Sequence, residues 1–208
     1  MFRKYTWDRP GVNRNLAATP VWHARGPAAH DGTVVAIVVS GPQATGKTTL
    51  AMALGTALSI PVFSRDPLMR VLQASLPWPV TRHGPWVPGA GLGLQTALLA
   101  GQLELGQSAI LECIAPLAVR QEWRRMCLEY GCRFVSVECT CSDADAHRAR
   151  VEQRRSAGRR SHGWRYVTAT MKRYQPDARA DFEADATRPV ADLVAGIAGI
   201  AGGATPSR

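Results

Sequence analysis

The sequence predicts an α/β domain in which a parallel β-sheet carries helices on its faces. Three observations lead there. Short apolar strands alternate with segments of helical period from residue 33 to about residue 200. Thr33 to Val39 is an unbroken run of β-branched and apolar residues, as in a strand buried on both faces of a parallel sheet. Just beyond it the period changes, and Leu50, Leu54 and Leu58 recur every four residues as one stripe of a helix. Right-handed crossovers between parallel strands then put the helices on the sheet faces.

Taken in order, residues 1–32 show no period and contain three prolines. They are expected to form an extension, partly ordered through Trp7 and Trp22, ahead of the domain at 33–202. "IPVFS", 60–64, is a short second strand, and Arg65-Asp66-Pro67 opens a helix to about Ala74. "LPWPVTRHGPWVPGAG", 76–91, holds four prolines and two tryptophans and is expected to be a loop. Leu92 to Leu105 reads as a helix ended by Gly106. "SAILEC", 108–113, is a third strand bearing Glu112 near its end. From Pro116 a helix carries Trp123, Met126, Cys127 and Tyr130 at helical spacing, a stripe that belongs to the core. Gly131 ends it, and "RFVSVEC", 133–139, is the fourth strand. Ser142 or Asp143 caps an arginine-rich helix to about Ala157, with acids in its first turn as the helix dipole prefers. Residues 181–200 supply a weak fifth strand, a turn and a last helix, and 203–208 form a tail.

The junction between first strand and first helix reads Gly41-Pro42-Gln43-Ala44-Thr45-Gly46-Lys47-Thr48-Thr49. This is the G-x-x-x-x-G-K-[ST] pattern in strand–loop–helix context, which a phosphate-binding loop requires. Its glycines let backbone N–H groups turn around phosphate oxygens, and the helix N-terminus adds partial positive charge. Lys47 is placed to reach the β- and γ-phosphates of ATP, and the Thr48 hydroxyl to ligate Mg²⁺. The plain alternative is a glycine-rich turn that only joins strand to helix.

At 208 residues the chain suits one domain with a sizeable core. No apolar run approaches the roughly 20 residues of a membrane span, and the N-terminus lacks the apolar segment of a signal peptide. Cys113, Cys127, Cys132, Cys139 and Cys141 include no C-x-x-C pair, which argues against zinc and for reduced thiols in the cytoplasm. Of the net charge of +9, the stretch from His147 to Tyr174 carries +8: nine Arg or Lys against Glu152. A charge run is usually a solvated helix face. A phosphate site, however, also needs cations on its open side, and some of these arginines are expected to serve it.

With the glycine loop, Asp66, Glu112 and the arginine helix in place, the order resembles the small P-loop kinases. These include bacterial kinases of the AAA-type ATP-binding group, gluconate-kinase-like enzymes, chloramphenicol phosphotransferase and phage polynucleotide kinase. The resemblance spans about Thr33 to Ile200. It implies a three-layer P-loop NTPase fold with a five-stranded parallel sheet, nucleoside/adenylate-kinase-like, with an Arg-rich lid helix.

"FSRDPLMR" is similar to the family's second strand end, which implies Asp66 as the group acting on the acceptor hydroxyl and Arg70 as a substrate contact. A carboxylate there would lie on the ligand side of the sheet. With the second strand parallel to the first, Asp66 is expected across the γ-phosphate from Lys47; an N-cap before Pro67 is its other reading. "AILEC" resembles the family's strand ending in an acid, with Glu112 where an aspartate is commoner; it would hold Mg²⁺ through water or else face solvent. Arg150 and Arg154, four apart, match the lid pattern and would grip the transferring phosphoryl, or else form exposed salt bridges. "DATRPV", 185–190, resembles the turn passing the nucleotide base, which brings in Arg188. Trp78, His83 and Trp86 are candidates for reading the acceptor, against a packed surface loop.

The implied activity is an ATP-dependent kinase moving the γ-phosphoryl to a small-molecule hydroxyl. The alternatives are a polynucleotide 5′-hydroxyl kinase, for which a pI near 10 speaks, or a P-loop ATPase switch. No membrane partner is expected, and the sequence does not fix an oligomeric state.

Overall fold

The unbroken apolar run of the first strand, β1 (Val35–Ser40), is buried at every residue. The computed structural model describes residues 34–75, 89–157 and 162–202. The extension with Trp7 and Trp22, the loop residues Trp78, His83 and Trp86, and the 203–208 tail therefore lie outside the described residues. After β1 come α1 (Lys47–Leu58), β2 (Val62–Ser64), α2 (Arg65–Ser75), α3 (Ala90–Glu104), β3 (Ala109–Glu112) and α4 (Leu117–Glu129). Then follow β4 (Arg133–Thr140), α5 (Ala144–Ser156), α6 (Trp164–Met171), β5 (Phe182–Asp185) and α7 (Val190–Ala201).

The strands form one five-stranded parallel sheet in the order β2-β3-β1-β4-β5. Alternation along β1 feeds two cores. Val34, Ala36 and Val38 pack with Leu99 and Leu103 of α3 and with Trp123 and Cys127 of α4. Val35, Ile37 and Val39 pack on the other face with Leu50 and Leu54 of α1 and with Leu193 and Ile197 of α7. Helix, sheet and helix thus make the three layers expected from the P-loop context, and the Trp123 stripe is core as read. Among the described residues no helix is long and apolar enough to cross a membrane.

The sheet order places β2 parallel to β1 but one strand removed from it, with β3 and Glu112 between. Two further differences from the sequence reading have local causes. Helix α3 begins at Ala90 rather than Leu92, because Gly89 takes φ 97° as its N-cap and Gly91 is pressed against α2. A Cβ on Gly91 would stand 2.8 Å from the Met69 side chain. Helix α6 was hidden inside the basic stretch; it buries Val167 and packs Trp164 toward Ala44 and Val151. Of the two caps considered for α5, Asp143 is the one, accepting from the N–H groups of Asp145 and Ala146 at 3.0 and 2.9 Å.

Candidate active site

The glycine loop leaves the C-terminal end of β1 between the ends of β3 and β4. Gly41 has φ 146°, and a Cβ there would sit 2.3 Å from the carbonyl oxygen of Cys139 on β4. That close approach of two backbones is what demands glycine. Gly46, at φ 81°, turns the chain into α1 and accepts from Leu50 N–H at 3.0 Å. Inside the loop Thr45 Oγ1 donates to the Pro42 carbonyl at 2.9 Å. Thr48 and Thr49 are exposed in the first turn of α1.

Lys47 is only 7% exposed, and its ammonium donates to the carbonyl of Pro42. Burial pulls its pKa below the ordinary lysine value; the buried carboxylate of Glu112 is the largest charge acting the other way, and Arg154 adds to the lowering. A buried cation whose hydrogen bond goes to a neutral carbonyl is suited to an incoming anion. Glu112, at the end of β3, is therefore not a solvent-facing acid: it is buried and in register with Val39 of β1 and Ser64 of β2. The Thr48 hydroxyl and the Glu112 carboxylate are hard oxygen donors of the kind Mg²⁺ takes. Among the described residues no group of three His, Cys, Asp or Glu could hold a metal. Mg²⁺ carried on nucleotide phosphates needs only one or two protein oxygens.

Beside the loop lies a cavity of about 190 Å³ lined by Thr45, Gly46, Thr49, Arg150, Arg154 and Arg188, among others. Helix α5 turns Arg150 and Arg154 to it from one face, as their spacing predicts. Arg150 donates to the Ala186 carbonyl at 3.0 Å and also reaches Cys141 Sγ at 3.7 Å, which ties α5 to the turn after β5. That turn is held by Asp185, which accepts from the N–H groups of Ser142 and Thr187; these bonds lower its pKa to about 2. Arg188 reaches the cavity from the same turn. Arg148, Arg155 and Arg165 of the basic stretch are exposed to solvent, so these five arginines divide into a cavity pair and three outward ones.

Asp66 stands in the first turn of α2 with its side chain 84% exposed and 3.6 Å from Arg65. It is not among the charges acting on Lys47. Arg70 is exposed one turn further on. Gln95 of α3, fully buried, donates to the carbonyls of Phe63 at 2.7 Å and Glu112 at 3.0 Å, fixing the ends of β2 and β3 side by side.

Three groups were missed from the sequence. Gln95 could have been suspected as a polar residue in an otherwise apolar helix. His147 shares the buried face of α5 with Val151, each 1% exposed in an otherwise charged helix. Glu138, within the apolar fourth strand, meets Arg120 and Tyr174 in a buried cluster against Ser40. The five cysteines are free thiols, and burial pushes Cys113, Cys127 and Cys139 up to about 12.

No protein-family model matches the chain, and no curated protein matches it. Solved structures do. A candidate kinase from Chloroflexus aurantiacus gives a TM-score of 0.68 at 24% identity, over 85% of this chain and 100% of that one. A gluconokinase from Sinorhizobium meliloti gives 0.54 at 20% identity, over 83% of this chain and 95% of that one. An APS kinase of Mycobacterium tuberculosis, solved with AMPPNP and APS, gives 0.54 at 19% identity, over 80% and 96%. At these identities the likeness is one of fold: the chain shares the three-layer α/β fold of these kinases.

Proposed function

We propose that the protein transfers the γ-phosphoryl group of ATP to a hydroxyl of a small-molecule acceptor. The observation that carries this is a cavity that Thr45, Gly46 and Thr49 of the glycine loop share with Arg150 and Arg154 of α5, with Arg154 close enough to the buried Lys47 to act on its charge. Cations on both sides of a phosphate chain are what the spread charge of a transferring phosphoryl group calls for. In this reading Lys47 holds the β/γ-phosphates and the backbone of Gly41 to Thr49 cradles them. Thr48 and Glu112 would hold Mg²⁺, which would offset phosphate charge. Asp66 orients the acceptor hydroxyl and draws off its proton, Arg70 contacts the acceptor, and Arg188 borders the base. Trp78, His83 and Trp86 are proposed to read the acceptor.

The fold shared with a gluconokinase and with an APS kinase solved with AMPPNP and APS supports a small-molecule acceptor. The exposed basic face of Arg148, Arg155 and Arg165 supports a second reading, in which the hydroxyl belongs to a nucleic-acid 5′ end.

The test is to incubate the protein with γ-labelled ATP and a panel of sugars, antibiotics, nucleosides and 5′-hydroxyl oligonucleotides. Label is expected on a small molecule. Label on oligonucleotides alone would establish the second reading, and hydrolysis with no transfer would make the protein an ATPase switch. In the same assay Asp66→Asn is expected to cut transfer at least about a hundredfold with ATP affinity little changed. Transfer at the wild-type rate would remove Asp66 from the chemistry.

A further inference from the structure

The arginine-bearing helix touches the nucleotide loop itself, through a residue that none of the roles above uses. His147, 1% exposed, has Nε2 2.7 Å from the carbonyl oxygen of Gln43, 104 residues earlier in the chain. Because the partner is a carbonyl, Nε2 is the nitrogen that bears the hydrogen. Trp164 of α6 meets the imidazole edge-on, ring centroids 5.2 Å apart at 85°, which holds the ring in place. The next loop residue, Ala44, is buried against Val151 and Val167, with Trp164 packed on the same cluster. Ala44 has φ 61°, a left-handed conformation that a residue with a Cβ adopts only when its surroundings impose it. Helices α5 and α6 are those surroundings.

We infer that His147 is a positioning residue that locks the Gln43–Ala44 peptide in the orientation needed to receive phosphate. In a trans peptide the C=O and the following N–H point in opposite directions. A Gln43 carbonyl drawn toward α5 therefore keeps the Ala44 N–H turned away from α5, free for an anion in the loop. His147, Arg150, Val151 and Arg154 share one face of α5, so the same helix sets both the shape of the loop and the reach of the two arginines. This inference rests on the nucleotide-binding reading of the loop and adds a coupling between loop and lid that the reading does not require.

Two substitutions in the full-length chain separate the bond from the packing. His147→Phe keeps a ring for Trp164 and removes the donor. His147→Gln returns an N–H donor at about the reach of Nε2. Should His147→Phe fail to fold, His147→Asn, whose amide stops short of Gln43, takes its place. AMPPNP affinity is measured by titration, and amide hydrogen exchange is followed across Gly41 to Gly46. Loss of the donor is expected to weaken AMPPNP binding about tenfold and to speed exchange in the loop while β1 and α1 stay protected. His147→Gln is expected to stay within about threefold of wild type. The inference is overturned if the donorless variant matches wild type in loop exchange and affinity, or if His147→Gln loses as much as it does. A wild-type protein that binds no AMPPNP would sink the functional reading, and the exchange comparison would still decide the role of His147.

Discussion

Replacing Glu138 by glutamine changes one charge and almost no shape, in a cluster that joins three parts of the site. The carboxylate, 4% exposed, accepts from Arg120 and from Asp177 N–H (2.8 Å) at Oε1, and from the Tyr174 hydroxyl (2.5 Å) at Oε2. Arg120, 1% exposed, donates its other terminal nitrogen to the Gln175 carbonyl. Ser40 Oγ lies 2.9 Å from the Tyr174 oxygen; that phenol has one proton, given to Glu138, so it accepts from Ser40. Burial, then the bond to Glu138, push the Tyr174 pKa up, so it keeps that proton. The cluster thereby fastens the chain leaving α6 to the end of β4 and to the residue just before Gly41.

Glutamine leaves the Arg120 guanidinium buried without its counter-charge and turns an N–H₂ toward one of the three donors. Breaking a buried pair from one side costs about 3–5 kcal/mol, and the amide oxygen retained puts the expected loss near the lower end, about 3 kcal/mol. For a domain of this size that is a fall in Tm of roughly 6–12 °C. Denaturant and thermal unfolding of wild type, Glu138→Gln, Arg120→Met and the double variant form the cycle. Removing both charges together is expected to cost less than the sum of the single losses by about 2 kcal/mol. A Glu138→Gln loss under about 1 kcal/mol, or strict additivity, would refute the claim that the pair is a buried, mutually dependent unit.

Gly41→Ala must place a Cβ 2.3 Å from a backbone oxygen of β4 at a φ of 146°, and strain with overpacking is expected to cost at least about 2 kcal/mol in denaturant melts; an unchanged melt would mean that β4 yields freely. Arg154→Ala is expected to lower kcat more than it raises the KM for ATP, since its grip tightens on the transferring group. Unchanged kcat would return Arg154 to the solvated face with Arg148 and Arg155.

What the sequence disclosed is what neighbours in the chain can disclose. The glycine loop, the Leu50–Leu54 stripe and the Arg150–Arg154 pair are each fixed by residues a few positions apart, and each stands where the pattern put it. Long-range partners left no such trace. His147 bonds a carbonyl 104 residues away, and Tyr174 meets Ser40 at a separation of 134. No periodicity marks either meeting. Helix α6 was concealed for another reason: Arg165, Lys172 and Arg173 gave its neighbourhood the look of a solvated charge run, although Trp164 and Val167 carry a short apolar edge. Asp66 and Glu112 were both legible as strand-end acids, but their different depths follow from sheet order, which local pattern does not encode.

That order bears directly on the proposed chemistry. Strand β3 lies between β1 and β2, so Glu112 ends one strand spacing, about 4.8 Å, from the strand that launches the glycine loop. Asp66 follows a strand two spacings away, roughly 10 Å. The nearer acid is buried and acts on Lys47; the farther one is exposed and does not. Two carboxylates at the same sheet edge thereby differ in depth and in their reach to Lys47. One is close enough to share the cation and phosphate charge at the loop. An ATPase that only hydrolyses needs room for a water, and Glu112 alone would border that space. In the proposed reaction a carboxylate set one strand further out would leave room for a larger acceptor, and the Asp66→Asn transfer assay tests that role.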